Sequence, residues 1–472
     1  MIAAPLMEGL YRWQEEALDI WLNEESKRGL VEAATGTGKT RFAIECIKQF
    51  LEEDSGIAVI MVPRQPLFDQ WQEELRDFLE IPYENYSCFG NGYSDSINRS
   101  TKILIVTQQA VVRQQDKKHG CGLLKQLNNL HKQVLLVVDE AHHLGGAATL
   151  ERFVKHIPES YSTLGLTATP DRIDGKMDEV FEYFDYSESE GPIYSYPLAD
   201  AVEDGVLVPV EQSNYFVSLT EEESLKYEEL SLSITSMKKA ICNTDLLSVD
   251  ISQVMGGNIA YLRKLESELF ALRSKMPSRK QYLCDSLVDQ IRNLQSTYIQ
   301  RKKLLNKASA KWELLERLLK QTRGVKRFSQ GRWIFFHQEI EECEKTADIL
   351  IKHLGEDKVR LHHSGISTED RDEILDVFDR GEFSCLCAVQ TLDEGLDIPD
   401  LAGTIIISGS TNKRQQIQRC GRALRRAPNK SKAILTFFLV NGDNDLSGEM
   451  PLIGPENETN KWKIKDYKVN LG

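Results

Sequence analysis

The chain has 472 residues, of which 41% are hydrophobic and 28% are charged, and its net charge is -14. This composition is typical of a soluble globular protein of about three domains, and the acidic balance argues against general adhesion to polyanions. The nine cysteines lack the spacing of a zinc knuckle, and no apolar run reaches the ~20 residues that cross a bilayer. We therefore expect a cytoplasmic protein with reduced thiols and no membrane partner.

Residues 30–170, within a first domain predicted over residues 1–205, show an alternation of two kinds of segment. Short β-rich segments are separated by longer segments of helical periodicity, a pattern typical of parallel strands joined by crossover helices. The β-rich segments are "GLVEAATG", "IAVIMVP", "KILIVT", "VLLVVDE" and "TLGLTATP". We predict an α/β domain with a parallel sheet over this region.

A phosphate-binding loop is predicted at "AATGTGKT", residues 33–40, between a strand and the helical segment "RFAIECIKQFL". Small residues allow successive backbone N–H groups to converge on phosphate oxygens at a helix N-terminus. Lys39 would add a positive charge, and Thr40 a hydroxyl ligand for Mg²⁺. The loop departs from the strict pattern at Ala33, where Gly is expected, and an ordinary glycine-containing turn is the alternative.

An acidic pair, Asp139 and Glu140, follows an apolar run at residues 134–138. In a phosphate-loop ATPase such a strand ends in a carboxylate that holds Mg²⁺, and a second acid can position the attacking water. Because side chains alternate along a strand, both acids can serve only if the strand ends here and the chain turns. A zinc site built from Asp139, His142 and His143 is the alternative, although no further ligand pattern accompanies it.

The middle of the chain, residues 206–325, is the predicted connector. Residues 220–325 carry 18 Lys/Arg against 13 Asp/Glu, and apolar residues recur at steps of three and four on both sides of Pro277. These residues are Leu262, Leu265, Leu269, Leu272, Met276, Leu283, Leu287, Ile291, Leu294 and Tyr298. The pattern predicts a basic coiled-coil hairpin inserted beside the second domain. It would hold duplex nucleic acid, or act as a spacer or a docking arm for a protein partner.

A second α/β domain is predicted over residues 326–445, where the alternation resumes. Its β-rich segments are "RWIFFHQ", "KVRLHHSG", "SCLCAVQT", "GTIIISGS" and "AILTFFLV". Residues 446–472 are polar and rich in turn formers, which predicts a C-terminal tail that is flexible or serves as a short docking element.

Seven motifs, in order, resemble those of the superfamily 2 nucleic-acid helicases and translocases. They are "ATGTGKT" (motif I), "VPRQPLFDQW" (Ia), "DEAH" (II), "LTATP" (III), "FFHQE" (IV), "TLDEGLDIP" (V) and "QRCGRALR" (VI). The continuations "TATPDRIDG" and "LADAVEDGVLVP" resemble the branch of transcription-repair helicases and type I and III restriction motors. The resemblance implies two tandem RecA-like domains with ATP and Mg²⁺ bound between them.

The resemblance also assigns residues to the ATP site. Catalytic roles are implied for Lys39, Asp139, Glu140, Arg422 and Arg425, and metal binding for Thr40 and Asp139. Nucleotide binding is implied for Gln14, Thr35, Gly36, Thr37, Gly38, Lys39, Thr40, Gly395, Asp397 and Gln418. Gln14 resembles the adenine-recognising glutamine of the family, but Tyr11 stands three positions before it, where most relatives in this branch have Arg.

A further set of residues is implied to connect the ATP site to nucleic acid. The coupling residues are His142, Thr167 and Thr169, and the expected contacts to the phosphodiester backbone are Arg64, Thr107, Gln108, His363, Ser364 and Thr391. Because phosphates repeat along a strand and bases do not, such contacts imply sequence-independent binding.

Two classes of function are compatible with these patterns. The first is a nucleic-acid-stimulated ATPase that works as a helicase or translocase, with DNA favoured over RNA. The second is an ATP-switched nucleic-acid sensor, or the motor subunit of a repair, restriction or phage-defence complex, without strand separation of its own. Movement in a strand-displacement or triplex-displacement assay distinguishes a motor from a switch.

Overall fold

The computed structural model describes most of the chain and divides it into two compact units. The described residues are 9–53, 56–63, 65–90, 92–113, 115–116, 120–168, 180, 182–184, 191–244, 246, 248–389, 401–408, 421, 423–427, 430–441 and 461–469. The first unit comprises the described residues up to Pro209 together with Leu424–Arg426, and the second comprises the others, from Val210 onward.

The first unit alternates strands and helices. Its strands are β1 (Arg28–Ala33), β2 (Ile57–Val62), β3 (Tyr86–Gly90), β4 (Tyr93–Ser94), β5 (Ile103–Thr107), β6 (Gln115–Asp116), β7 (Gly120–Cys121), β8 (Val134–Val138), β9 (Ser162–Thr167) and β10 (Tyr194–Tyr196). Its helices are α1 (Arg12–Asn23), α2 (Lys39–Glu53), α3 (Gln65–Phe78), α4 (Gln108–Arg113), α5 (Gly122–Leu130), α6 (Ala147–Arg152) and α7 (Leu198–Glu203). Strands β2, β5 and β8 are buried along their whole length, as expected in a sheet covered on both faces.

Eight strands form the first sheet, in the order β10-β1-β9-β8-β2-β5-β3-β4. All neighbouring pairs are parallel except β3 with β4. Strand β9 therefore lies between β1, which leads into the predicted phosphate loop, and β8, which leads into the acidic pair. In open α/β sheets, ligands bind outside the carboxyl ends of the strands. The fold thus brings motifs I, II and III, which follow or end β1, β8 and β9, to this edge of the sheet.

The second unit has its own parallel sheet of seven strands, in the order β13-β14-β12-β15-β16-β11-β17. The strands are β11 (Val210–Val217), β12 (Arg332–His337), β13 (Val359–His362), β14 (Cys385–Val389), β15 (Leu401–Ile406), β16 (Ala433–Val440) and β17 (Trp462–Lys468). The helices are α8 (Glu221–Cys242), α9 (Ile251–Met255), α10 (Ile259–Lys275), α11 (Gln281–Asn306), α12 (Ala310–Lys320), α13 (Thr322–Ser329), α14 (Ile340–Leu354) and α15 (Thr368–Asp379). The prediction of two α/β domains with parallel sheets is confirmed.

Two strands of the second sheet lie outside the predicted domain boundaries. Strand β11 falls in the predicted connector, and β17 falls in the predicted tail, yet the two pair with each other in parallel. Polar side chains on β11 are buried because they are satisfied across the strands: Asn214 donates to Asp466 at 2.8 Å, and Gln212 accepts from Trp462 at 3.3 Å. These polar positions hide the alternation that would have predicted the strands.

Helices α10 and α11 run antiparallel around the turn at Pro277. Arg273 pairs with Asp285 near the turn at 2.6 Å, and Arg292 pairs with Glu266 farther from it at 2.8 Å. Their apolar faces form one cluster, and the predicted Leu262, Leu265, Leu269, Leu287, Ile291, Leu294 and Tyr298 are all buried in it. Although α11 has 26 residues, no helix in the described ranges is both long and apolar enough to span a membrane.

Helix α8 adds a third long helix to this cluster, which the sequence pattern did not predict. Its Ile234 and Ile241 are buried with the residues of α10 and α11. It runs antiparallel to α11, because Ser231 bonds Arg301 at 3.1 Å while Lys238 lies over the Tyr298 ring at 5.4 Å. Removing α10 and α11 would therefore expose the apolar face of α8.

Candidate active site

The loop between β1 and α2 is the centre of the candidate site. Strand β1 ends at Ala33 and α2 begins at Lys39, so the loop lies at the carboxyl edge of the sheet and at a helix N-terminus. Lys39 is 9% exposed, and its Nζ donates to the Ala33 carbonyl at 2.8 Å. Free backbone N–H groups at a helix N-terminus, beside an ammonium group, suit the binding of a polyphosphate.

Two glycines give this loop its shape. Gly36 and Gly38 have φ angles of +83° and +90°, which other residues rarely adopt. A Cβ atom at Gly36 would lie 2.9 Å from the Cγ of Arg425, and a Cβ atom at Gly38 would lie 2.7 Å from the Nε2 of Gln14. Arg425, which groups with the first unit, therefore lies against the phosphate loop.

Helix α1 holds the loop through two adjacent side chains. The Trp13 Nε1 donates to the Thr37 carbonyl at 3.2 Å, and the Gln14 Nε2 donates to the Gly38 carbonyl at 2.8 Å. The Gln14 Oε1 accepts from the Tyr11 N–H at 2.7 Å. Gln14 thus supports the loop in this conformation, and its contact with adenine stays a prediction. Trp13 was not predicted as a site residue, because a tryptophan in an amphipathic helix is ordinarily a core residue.

The acidic pair lies where the strand ends and the chain turns. Strand β8 ends at Val138, and Glu140 adopts a left-handed conformation with φ of +48° before a short 3-10 helix. A continuing strand would direct two consecutive side chains to opposite faces of the sheet, and the turn here removes that constraint. A non-glycine residue with positive φ costs of order 1 kcal/mol. Among the described residues, Lys27 and His131 share this conformation outside the site.

Both oxygens of Asp139 accept hydrogen bonds. Its Oδ1 accepts from the Glu140 N–H at 2.9 Å, and its Oδ2 accepts from the Trp71 Nε1 at 2.9 Å. Trp71 is the last residue of the motif Ia segment and is 1% exposed. Its role was not predicted, because sequence spacing does not show where a buried indole N–H points.

A histidine connects the acidic pair to the next strand. The buried His142 Nδ1 lies 3.2 Å from the Thr167 Oγ1 and 3.3 Å from the Glu140 Oε2. Thr167 ends β9, the strand between β1 and β8. The structure thus brings together His142 and Thr167, which the family resemblance assigned to coupling.

The charges at this edge of the sheet interact with one another. Burial lowers the pKa of the Lys39 ammonium, the Glu140 and Asp139 carboxylates act in the opposite direction, and the Arg425 guanidinium lowers it further. A buried ammonium that has lost part of its hydration interacts strongly with an incoming anion. The arrangement is therefore suited to a triphosphate, which would supply the missing negative charge.

The donors near the loop also suit a small divalent cation. Thr40 and Asp139 offer a hydroxyl and a carboxylate, the oxygen ligands that Mg²⁺ prefers alongside phosphates and water. Within the described ranges, no group of three His, Cys, Asp or Glu side chains is close enough to hold a metal ion. The alternative set of Asp139, His142 and His143 therefore lacks the geometry of a zinc site.

The expected nucleic-acid contacts fall into three groups. Ser364 is exposed, whereas Thr107 and His363 are buried, and the His363 Nδ1 accepts from the Gly365 N–H at 3.2 Å. Gln108 stays a predicted contact, and its Nε2 donates to the His143 carbonyl at 2.8 Å and to the Thr149 Oγ1 at 3.1 Å. Both amide hydrogens are thus used within the protein in this structure. Two expected nucleic-acid contacts, Arg64 and Thr391, lie outside the described residues. So do the predicted coupling residue Thr169 and four predicted ATP-site residues: Gly395, Asp397, Gln418 and Arg422.

His362, next to the expected contact His363, gives the second unit a defined pH dependence. Burial lowers its pKa to about 4, with the positive charge of Arg371 acting in the same direction. The unfolded value is about 6.5, so the unfolded state binds more protons between these pH values. This contribution to stability is full above about pH 6.5 and is lost as the pH falls towards 4.

Between pH 7 and pH 5 we expect the wild type to lose about 2 kcal/mol more free energy of unfolding than His362→Gln. Denaturant unfolding at the two pH values measures this difference. His156→Gln, which changes an exposed histidine of the first unit, is the control and should behave as the wild type. Equal losses in wild type and His362→Gln would show that His362 is not a buried neutral histidine.

Comparison with known proteins identifies the family. The type III restriction enzyme res-subunit family matches residues 8–172, and the helicase conserved C-terminal domain matches residues 310–427. Together they cover the motifs of both units. The chain belongs to the superfamily 2 helicases. It is accordingly an ATP-hydrolysing helicase or translocase of this superfamily, with nucleic acid as its class of partner.

Relatives of this superfamily 2 helicase include a protein named as a DNA translocase. The chain is 26% identical over 436 residues to the DNA 3'-5' translocase XPB2 of Sulfurisphaera tokodaii, covering 92% of this chain and 82% of the relative. For two further relatives, the chain spans only 55% and 64% of their lengths.

Solved structures show the same fold. The Hef helicase domain of Pyrococcus furiosus superposes with a TM-score of 0.51 at 20% identity, covering 92% of this chain and 96% of that one. The type ISP restriction-modification enzyme LlaBIII, bound to DNA, superposes with a TM-score of 0.55 at 14% identity, covering 98% of this chain and 31% of that one. These matches identify both units as RecA-like.

Proposed function

We propose that this superfamily 2 helicase is a Mg²⁺-dependent, ATP-driven motor that acts on duplex or branched DNA. The observation that carries the proposal is the assembly of Lys39, Asp139, Glu140 and Arg425 around one loop at the carboxyl edge of the first sheet. The relative named a DNA translocase supports DNA over RNA as the partner.

Each of these side chains has a distinct part in ATP hydrolysis. Lys39 and the loop N–H groups bind the phosphates, and Arg425 offers a planar, permanently charged fork to the oxygens of the transferred phosphoryl group. Glu140 orients the attacking water and accepts its proton, held in place by His142. Bound Mg²⁺, held by Thr40 and Asp139, would neutralise phosphate charge.

The antiparallel hairpin of α10 and α11 is proposed as a second contact with DNA. Residues 261–311 carry 12 Lys/Arg against 4 Asp/Glu, but several of these cations are paired or buried. Lys275, Arg279 and Lys280 are different: they are exposed at the turn, and no acidic side chain in the described part of the chain pairs with them. Exposed surface cations of this kind suit contacts with phosphates.

Replacing Lys275, Arg279 and Lys280 with Ser should weaken duplex binding and reduce its salt dependence. Each lost phosphate contact lowers the slope of log affinity against log salt concentration by about 0.9, so the slope should fall by about 2 to 3. Fluorescence anisotropy with a duplex at several salt concentrations measures the slope. Lys226→Ser with Lys239→Ser, on exposed positions of α8, is the control. An unchanged slope in the triple variant would favour a spacer or a protein-docking arm.

The proposed function is tested by measuring ATP hydrolysis with single-stranded DNA, duplex DNA, branched DNA and RNA in parallel. Duplex or branched DNA should stimulate turnover most, and strand-displacement or triplex-displacement assays should then show movement. Stimulation by RNA alone would contradict the choice of DNA. ATP-dependent binding to DNA without movement along it would contradict an independent motor. It would favour an ATP-switched sensor or a motor subunit that needs partner proteins.

We also propose a cytoplasmic location. Cys46, Cys88, Cys284, Cys343, Cys385 and Cys387 are buried free thiols, and Cys242 is a partly exposed one. Free thiols persist most readily in a reducing compartment. Protein partners, predicted at residues 220–325, would bind to the exposed face of α8. Leu225 and Leu232 on this face are 64% and 72% exposed.

A further inference from the structure

Trp71 occupies an unusual position for a buried tryptophan. It lies on α3, is 1% exposed, and directs its indole N–H to the Asp139 Oδ2 at 2.9 Å. A carboxylate is a charged acceptor, and hydrogen bonds to charged groups are roughly twice as strong as those between neutral groups. Trp21 in the same unit shows the ordinary case, since its Nε1 meets a backbone carbonyl, that of Thr163, at 3.4 Å.

The contact determines how the Asp139 carboxylate is oriented. One oxygen accepts from the Glu140 N–H and the other accepts from Trp71, both at 2.9 Å. Two donors on two oxygens prevent rotation of the carboxylate about its Cβ–Cγ bond. Each oxygen keeps a second lone pair, directed away from its donor, that can still bind a cation or its water.

We propose that Trp71 is a positioning residue for the cation-binding carboxylate of the ATP site. The proposal rests on the proposed function, which gives Asp139 the metal. Outer partners that orient a metal-binding carboxylate typically contribute 10-fold to 100-fold in metal affinity. Trp71 thereby connects α3, whose first turns carry most of the motif Ia segment, to the acid that would receive Mg²⁺.

The test compares nucleotide binding with and without the metal. Titration calorimetry measures ADP affinity of the full chain in Mg²⁺ and in EDTA, for the wild type, Trp71→Phe and the control Trp21→Phe. We expect Mg²⁺ to strengthen binding in the wild type and in the control, and the gain to be about 10-fold smaller in Trp71→Phe. Affinity in EDTA should be equal in all three, because Trp71 acts only through Asp139.

A double-mutant cycle separates positioning from packing. In an Asp139→Asn background, Trp71→Phe should not further change the increase in ADP affinity caused by Mg²⁺, because the carboxylate through which Trp71 acts is absent. If Trp71→Phe does not fold, benzothienylalanine at position 71 keeps the ring shape and replaces the N–H by sulfur. An undiminished Mg²⁺ gain in either variant overturns the proposal. Absence of any gain in the wild type contradicts the metal assignment itself, and so the proposed function.

Discussion

Glu140→Gln is expected to reduce ATP turnover by about 10³-fold while leaving ATP affinity within a few-fold of the wild type. A positioned general base contributes about 10²-fold to 10⁴-fold, and the amide cannot accept the proton of the attacking water. Gln has the same length as Glu and can keep the contact with His142. Steady-state hydrolysis with saturating DNA measures the turnover, and a fluorescent ATP analogue measures the affinity.

The matched control for this change is Glu52→Gln, which removes one carboxylate from an exposed position near the end of α2. It should retain full turnover, so that the general loss of negative charge is separated from the loss of the base. If Glu140→Gln retained more than about a tenth of wild-type turnover, Glu140 would not be the general base. Another group would then have to take the proton.

The sequence predicted the parts of the fold that are buried on both faces. Each β-rich segment predicted in the two α/β regions contains a strand, because parallel strands covered by helices leave near-continuous apolar runs. The same runs end at the site, so the positions of Lys39, Asp139 and Thr167 at one edge followed from the alternation of strands and helices. The strand order itself, with β9 between β1 and β8, was not predicted.

The residues that support the site could not be predicted in this way. Trp13 and Trp71 have the spacing of core residues, and only the tertiary fold shows that their N–H groups meet Thr37 and Asp139. Gln108 is a further example: its motif position predicts a phosphate contact, and the sequence did not show that its amide also donates to the His143 carbonyl. Hydrogen-bond partners far apart in sequence leave no local pattern.

The strand order gives a physical reason for communication within the site. Strand β9 separates the phosphate-loop strand β1 from the acid-bearing strand β8. Its last residue, Thr167, bonds His142, which in turn contacts Glu140. A shift at the end of β9 would therefore change the orientation of Glu140, the proposed general base. Thr167→Val keeps the side-chain shape and removes the hydroxyl, so it removes the contact with His142.

Arg425→Ala is expected to reduce ATP turnover by about 10³-fold with ATP binding preserved. Losses of this size are typical for arginine fingers, the arginines that stabilise the transition-state charge in phosphoryl transfer. The guanidinium lies against Gly36 of the phosphate loop and lowers the pKa of Lys39. Its removal leaves Lys39 at least as well charged, so phosphate binding should survive. What is lost is the charge that stabilises the γ-phosphoryl oxygens during transfer.

Two further variants make this prediction specific to Arg425. Arg425→Lys keeps the charge but lacks the planar fork of five donors, and should recover only part of the turnover. Arg426→Ala removes the adjacent arginine and should keep turnover close to the wild type. If Arg425→Ala and Arg426→Ala had equal turnover, the guanidinium beside Gly36 would be a structural contact, and the transition-state charge would have to be met by groups already on the phosphate loop. A loss of ATP turnover in Arg425→Ala but not in Arg426→Ala, with partial recovery in Arg425→Lys, is expected only if the Arg425 side chain acts on the phosphoryl group itself.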